Sequence, residues 1–289
     1  MGDTVILPTF LGIGTPKAGT TWLHDVLASH PRVWMPRRHE LHYFDRHFDR
    51  GIEWYSGHFP PDGEQDRYTA VGEVTPHYLY DARSVERIAA VPSIRKLILL
   101  LRDPVNRAWS HYWFRVRIEN YEGTFEEFLE DRPEARMWGL YGQHVEKYLA
   151  RFRKEQLLVL VYENVFDDLS GSLKRLAAFL EVDAGGFSED VVRRRVNPRH
   201  VPRFRRAYAA AFSVGRWLVR RDAHGVVALA KKLGIGSLFG RDERPAGASS
   251  MSPETRDRLV AYFADDTAEL EKMLDLDLSV WRRTVAEKP

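Results

Sequence analysis

The residues whose types and spacing best suit chemistry lie near the start of the chain, in Gly12-Ile13-Gly14-Thr15-Pro16-Lys17-Ala18-Gly19-Thr20-Thr21-Trp22. The apolar run over 9–13 predicts a strand. Residues 20–29 predict a helix, with Leu23, Val26 and Leu27 on one stripe and His30-Pro31 to stop it. A glycine turn between them leaves backbone N–H groups clustered at a helix start, where the helix dipole adds partial positive charge. That arrangement holds phosphate. Gly14-x₄-Gly19 has the spacing of a nucleotide phosphate loop, but Thr20 stands where such a loop has lysine, and Lys17 lies inside the loop instead. The plain alternative is an ordinary strand-to-helix turn with two glycines.

A second group follows. The apolar run 97–101 ends in Arg102, where a phosphate-loop kinase would carry an acidic residue for magnesium. Arginine repels a cation and grips a phosphate through paired hydrogen bonds. Ser110, eight residues on, can add a hydroxyl. The alternative here is an arginine tied to a carboxylate at a helix start. Two anion sites at the ends of two strands imply a nucleotide phosphorylated at both ends.

These groups need a frame that brings strand ends together. Runs at 70–74, 96–101 and 157–162 predict further strands, the second suited to burial on both faces. Helices are expected at 82–90, from Val105 onward with Pro104 at the start, and at 167–180. Strands alternating with helices give an α/β fold, a three-layer parallel sheet with a phosphate-loop-like core over about 5–185. From about 186 to 289 the pattern is helical, with a Gly/Ser/Pro break at 234–252 and a last helix near 252–273. The whole is expected to be one domain. Over 203–221, Phe204, Tyr208, Ala211, Gly215 and Leu218 recur at helical steps beside Arg203, Arg205, Arg206, Arg216, Arg220 and Arg221. Such a helix packs on the core, covers an acceptor site or lies on a membrane.

Composition narrows the classes. The chain has 289 residues, 44% of them hydrophobic and 29% charged, which is a globular and not a disordered mixture. The absence of cysteine excludes disulfides, thiolate catalysis and Cys-ligated metal. A net charge of +2 requires neither nucleic acid nor an anionic membrane as partner. No signal-peptide pattern and no apolar window of about 20 residues is present, so a cytoplasmic location is expected. Only nine of the 43 basic residues are lysine, a bias expected of a bacterial GC-rich gene.

Thr15-Pro16-Lys17-Ala18-Gly19-Thr20-Thr21-Trp22-Leu23 resembles the 5′-phosphosulfate loop of sulfotransferases that use 3′-phosphoadenosine 5′-phosphosulfate (PAPS). Arg102-Asp103-Pro104 with Ser110 resembles their 3′-phosphate motif. The resemblance implies that Lys17, Ala18, Gly19, Thr20, Thr21 and Trp22 hold the 5′-phosphate side and that Arg102 and Ser110 hold the 3′-phosphate. Arg241, in Gly240-Arg241, answers to a further cofactor loop. Arg38-His39-Glu40-Leu41-His42-Tyr43-Phe44-Asp45-Arg46 is similar to the Lys-Glu-x-His-Phe-Phe-Asp segment of the heparan-sulfate-type branch, with His39 in place of Lys. Gly72-Glu73-Val74-Thr75-Pro76-His77-Tyr78-Leu79 resembles that branch's acceptor-side segment, with Val74 in place of Lys.

What the resemblance implies is sulfuryl transfer from PAPS to a hydroxyl or amine of a sugar or secondary metabolite. PAP is the product nucleotide and no metal is needed. Glu40 is the implied general base, Lys17 stabilises the leaving phosphate, and His42 is a competing base within reach if the segment is strand-like. Asp45, Arg46 and Glu73 are expected on the acceptor side. His39, His42 and His47 raise a metal site, but His39-Glu40-Leu41-His42 is one residue short of the H-E-x-x-H spacing. The rival functions are a phosphate-loop small-molecule kinase and an inactive PAP- or polyanion-binding module.

Overall fold

The computed structural model describes residues 6–61, 63–193, 214 and 251–282. Arg241, the basic helix expected over 203–221 and most of the break expected over 234–252 lie outside the described residues.

Five strands, β1 (Phe10–Gly14), β2 (Val33–Trp34), β3 (Ala70–Val74), β4 (Lys96–Leu101) and β5 (Leu157–Val161), form one parallel sheet in the order β2-β3-β1-β4-β5. Their sequences are continuous apolar runs because helices cover both faces. Alternation along β4 shows it: Leu97, Leu99 and Leu101 enter one apolar layer, while Ile98 and Leu100 enter the other. Gly72 on β3 admits a close approach, since a Cβ there would stand 2.5 Å from the Phe10 ring. The expected α/β class and parallel sheet are what the chain adopts. β2, two residues long, is too short to show a period and was not expected from the sequence.

The helices are α1 (Thr20–Ala28), α2 (Tyr43–Arg46), α3 (Gly51–Ser56), α4 (Ala82–Ala89), α5 (Pro104–Ile118) and α6 (Phe125–Asp131). After them come α7 (Glu134–Met137), α8 (Gly142–Leu149), α9 (Tyr162–Asp167), α10 (Leu169–Leu180) and α11 (Glu189–Val192). The long helix Pro253–Leu274 begins at a serine cap, with the Thr255 N–H donating to Ser252 Oγ at 3.1 Å. None of the described helices is long and apolar enough to cross a membrane.

The chain divides into two compact units. The first, Met1–Arg107, Trp138–Val196 and Val260–Pro289, contains the whole sheet and both apolar layers. The second is Ala108–Met137 with Asn197–Leu259. Its described part is an aromatic cluster in which Trp109 and Tyr112 pack on Phe125, and Tyr112 also on Phe128. Within the first unit β1 lies between β3 and β4, so the chain switches sides of the sheet at β1. The loops after β1 and β4 therefore leave from adjacent strand ends, where open parallel sheets bind their ligands.

Candidate active site

The loop after β1 is fixed by its neighbours. The Thr15 N–H donates to the Leu100 carbonyl at 2.8 Å, and the Thr15 hydroxyl is bonded to the Tyr80 hydroxyl. Lys17 (φ 73°) and Gly19 (φ 97°) both take left-handed backbone, which turns successive N–H groups into the bend. For Lys17 this conformation costs about 1–2 kcal/mol. A Cβ at Gly19 would meet the Tyr162 ring at 3.2 Å, so glycine serves both the turn and the packing. No acidic residue occupies the first turn of α1, which leaves its positive end uncancelled.

Of the expected loop residues, Lys17, Thr20 and Thr21 offer side chains near this turn. Ala18 and Trp22 are buried, and Trp22 Nε1 donates to the Val192 carbonyl at 3.0 Å. Their part in anion binding reduces to backbone.

Arg102, just past the end of β4, forms no ion pair with a carboxylate among the described residues. Its Nη1 donates to the Lys17 carbonyl at 3.0 Å, and its guanidinium lies 4.7 Å from the Tyr162 ring centre. Its Nε is buried without a hydrogen-bond partner. Around it, Tyr141 donates to the Arg102 carbonyl at 2.8 Å and the Asp103 N–H donates to Glu163 at 3.1 Å. Ser110 stands half-buried further along α5, in the part of that helix belonging to the second unit.

The second cluster gathers on residues 40–45. Leu41, Tyr43 and Phe44 are buried anchors that hold the segment down. Between them the expected strand is absent: Glu40 (φ 55°) and His42 (φ 56°) are left-handed, and their side chains converge for that reason and not through β alternation. His42 Nε2 lies 3.3 Å from Glu40 Oε2, and His42 Nδ1 lies 2.8 Å from Asp45 Oδ2. The imidazole thus sits between two carboxylates. Asp45 is 7% exposed and Glu40 42% exposed, so the outer member of the chain is Glu40. Arg46 is exposed, with Nε 3.5 Å from Asp45.

Glu73 plays a different part from the one expected. It is fully buried at the sheet end, and both its oxygens are occupied. Tyr78 donates to Oε1 at 2.6 Å, Tyr55 to the same oxygen at 3.4 Å, and Thr75 to Oε2 at 2.7 Å. Thr75 in turn accepts the His42 N–H at 3.3 Å, and Tyr78 accepts the Tyr43 N–H at 2.9 Å. Glu73 presents no carboxylate oxygen at the surface. It is the hub that fixes the backbone of residues 42–43.

Burial works to raise the Glu40 carboxyl, but the hydrogen bond and charge of His42, with smaller help from His77 and Lys17, hold it below the ordinary value. Burial works to lower His42, and its bonds to Asp45 and Glu40 outweigh this and hold it above the ordinary value. Glu73 is pushed up to about 7 by burial, which hydrogen bonds from Tyr78 and Thr75 and the charge of His42 only partly offset. Burial lowers His77 to about 4 and His24 to about 3.

The two clusters meet. Thr20 and Thr21 of α1 line a cleft of about 30 Å³ together with His24, His39, Glu40 and Val74. His39, where the resemblance has lysine, stacks on His24 with ring centres 3.8 Å apart and lies 3.6 Å from Asp25. A larger open groove of about 280 Å³ runs along β2 between Ala28 and Tyr68, and contains none of the expected site residues. Thr75, His77 and Tyr78 entered the sequence reading only as part of the acceptor-side segment, with no role of their own. They lie within five residues of Glu73, and no spacing rule singles them out, because their roles come from contacts across 33 to 35 residues of chain.

The family model of the sulfotransferase domain matches residues 7–209. Heparan sulfate glucosamine 3-O-sulfotransferase 3B1 of Homo sapiens is 34% identical over 185 residues, covering 60% of this chain and 46% of that protein. Membrane-associated sulfotransferase kil1 of Dictyostelium discoideum is 33% identical over 160 residues, covering 53% of this chain and 34% of its own. The chain thus spans less than half the length of these curated relatives. A solved sulfotransferase from Alicyclobacillus acidocaldarius superposes with a TM-score of 0.65 at 26% identity, covering 96% of this chain and all of that one. With a family model spanning well over half its length, the chain belongs to the sulfotransferase family.

Proposed function

We propose that this protein transfers a sulfuryl group from PAPS to a hydroxyl or amine of a sugar or secondary metabolite, with Glu40 as the general base. The observation that carries the reading is the shared cleft, in which the phosphate-loop threonines Thr20 and Thr21 and the Glu40 carboxylate line one space. The loop N–H groups, Lys17 and Arg102 would hold the two phosphates of the nucleotide. The acceptor oxygen or nitrogen attacks sulfur, the sulfur–oxygen bond to the 5′-phosphate breaks, and the acceptor proton passes to Glu40. Lys17 neutralises charge on the departing phosphate oxygen.

The electrostatics favour Glu40 over His42 as base. His42, held above its ordinary value between two carboxylates, is biased toward keeping its proton, whereas Glu40, held below its own, is biased toward the ionised form that accepts one. Asp45 orients the imidazole, and the imidazole orients Glu40. The kinase alternative lacks support at Arg102, which occupies the strand end a magnesium carboxylate would need.

The test is direct. In EDTA, labelled PAPS should pass its sulfuryl group to one of a panel of sugars, lipids and metabolite alcohols. PAP should raise the melting temperature well beyond AMP, since a hundredfold excess over Kd stabilises by about 2.7 kcal/mol. Equal stabilisation by ATP that depends on magnesium would favour the kinase reading instead.

A further inference from the structure

One residue beside the base is left unused by the transfer reaction. His77 follows β3 by three residues in a short 3-10 turn, Pro76–Leu79, and its ring lies 5.3 Å from that of His42. Its Nδ1 is buried and has no hydrogen-bond partner. One ligand atom each from Glu40, His42 and His77 lies within 4.8 Å of the other two.

We propose that Glu40, His42 and His77 form a binding site for a divalent transition-metal ion of the zinc class, and that an ion there inhibits the enzyme. Two imidazoles and a carboxylate are the ligand set such ions take, at bond lengths of about 2.0–2.2 Å with a fourth position open. Ligand atoms around a tetrahedral ion of that size stand roughly 3.3 Å apart. Glu40 Oε2 and His42 Nε2 are already 3.3 Å apart. Only His77 has to close in.

The supporting shell is in place as well. His42 gives its other nitrogen, Nδ1, to Asp45 at 2.8 Å, the carboxylate–histidine arrangement that fixes a ligating imidazole and strengthens it as a donor. The His42 backbone is held by the Thr75 hydroxyl, and the His77 ring packs edge-on against Trp138 at 5.3 Å.

A second group, His24, Asp25 and His39, is also close enough to hold an ion. Its geometry is poorer. The His24 and His39 rings are stacked at 29°, so their in-plane lone pairs run side by side and do not converge.

An ion on Glu40 would occupy the carboxylate oxygen that the acceptor proton needs. Inhibition therefore rests on the transfer reading, whereas binding rests on geometry alone. Two variants separate His77 from the fold: His77→Gln keeps a polar side chain, and His77→Phe keeps a ring without nitrogens. The protein would be titrated with Co²⁺, read by the visible absorption of four-coordinate cobalt, and with Zn²⁺, read by calorimetry and by transfer rate. The expected result is one ion per chain, at least tenfold weaker binding in both variants, and unchanged melting temperature. With each protein's rate referred to its own rate in EDTA, Zn²⁺ should inhibit the wild type at concentrations that leave both variants uninhibited.

Binding unaffected by either variant, or abolished by His39→Gln instead, would overturn the site. Wild-type binding without inhibition would overturn the regulatory half. A chain that binds Co²⁺ through His77 yet transfers no sulfuryl group would sink the proposed function and leave the metal site standing.

Discussion

The loop after β1 and the cluster at residues 40–45 both hold their chemical groups on left-handed backbone, yet they are assembled in opposite ways. The loop is local: a strand, a turn and a helix within Phe10–Ala28, with outside support from Leu100, Tyr80 and Arg102. The cluster at 40–45 has little regular structure of its own. It is positioned by Glu73, Thr75 and Tyr78, more than 30 residues away in sequence. Anion binding needs several N–H groups and a cation pointed one way, which a short segment can provide. A base needs one carboxylate at one place with a tuned charge, and that takes a network.

The sharpest way to break the comparison is at the proposed base, Glu40. Glu40→Gln keeps size and removes proton acceptance, so turnover should fall by about 10²–10⁴. PAP affinity and melting temperature should stay at wild-type values, since the loop is built without Glu40. Turnover near normal in a folded variant, with His42→Gln inactive, would exchange the two roles.

Next in size is the buried hub. Folded Glu73 keeps its proton up to about pH 7, whereas an unfolded glutamate releases it near 4.5. Between those values the native state binds the extra proton, so this group's contribution to stability falls as pH rises. Relative to Glu73→Gln, the wild type should lose up to about 3 kcal/mol between pH 5 and pH 8. Urea titrations at both pH values would measure it. A constant difference would mean that the hydroxyl donors keep Glu73 ionised throughout.

On the loop side, Arg102→Ala should weaken PAP binding by about 1.5–3 kcal/mol if a charge-assisted hydrogen bond is lost. AMP should lose less, and not zero, because the same guanidinium holds the Lys17 carbonyl. Calorimetry with both nucleotides gives the comparison, and equal losses would reduce Arg102 to a brace for the loop.

The smallest effect is expected at Gly19. Its φ of 97° and the Tyr162 ring 3.2 Å from a would-be Cβ predict that Gly19→Ala destabilises the fold by roughly 1–2 kcal/mol. Denaturant midpoints would show it. A neutral result would mean that the turn relaxes around the methyl group.

This contrast also explains what the sequence made legible. Strands β3 and β4 begin and end where their apolar runs do, because burial on both faces leaves sharp polar boundaries. Lys17 and Arg102 were readable because glycine spacing and a strand-terminal arginine are local signals. The placement of Glu40 and His42 together was expected for the wrong reason, as strand alternation, while the backbone there is left-handed. Glu73 was expected to face the acceptor. Nothing in Gly72-Glu73-Val74 says that three hydroxyls from residues 55, 75 and 78 will enclose it.

Lys17, Glu40 and His42 each sit in a conformation that glycine would occupy more comfortably. A campaign selecting this protein for heat resistance alone would therefore be drawn to these positions. At 42 the backbone relief is set against loss of the imidazole that pairs with Asp45 and Glu40, and at 17 or 40 against loss of the proposed leaving-group cation or the proposed base. At these three positions backbone comfort and the proposed chemistry pull in opposite directions. Any library built to harden this chain should hold them fixed.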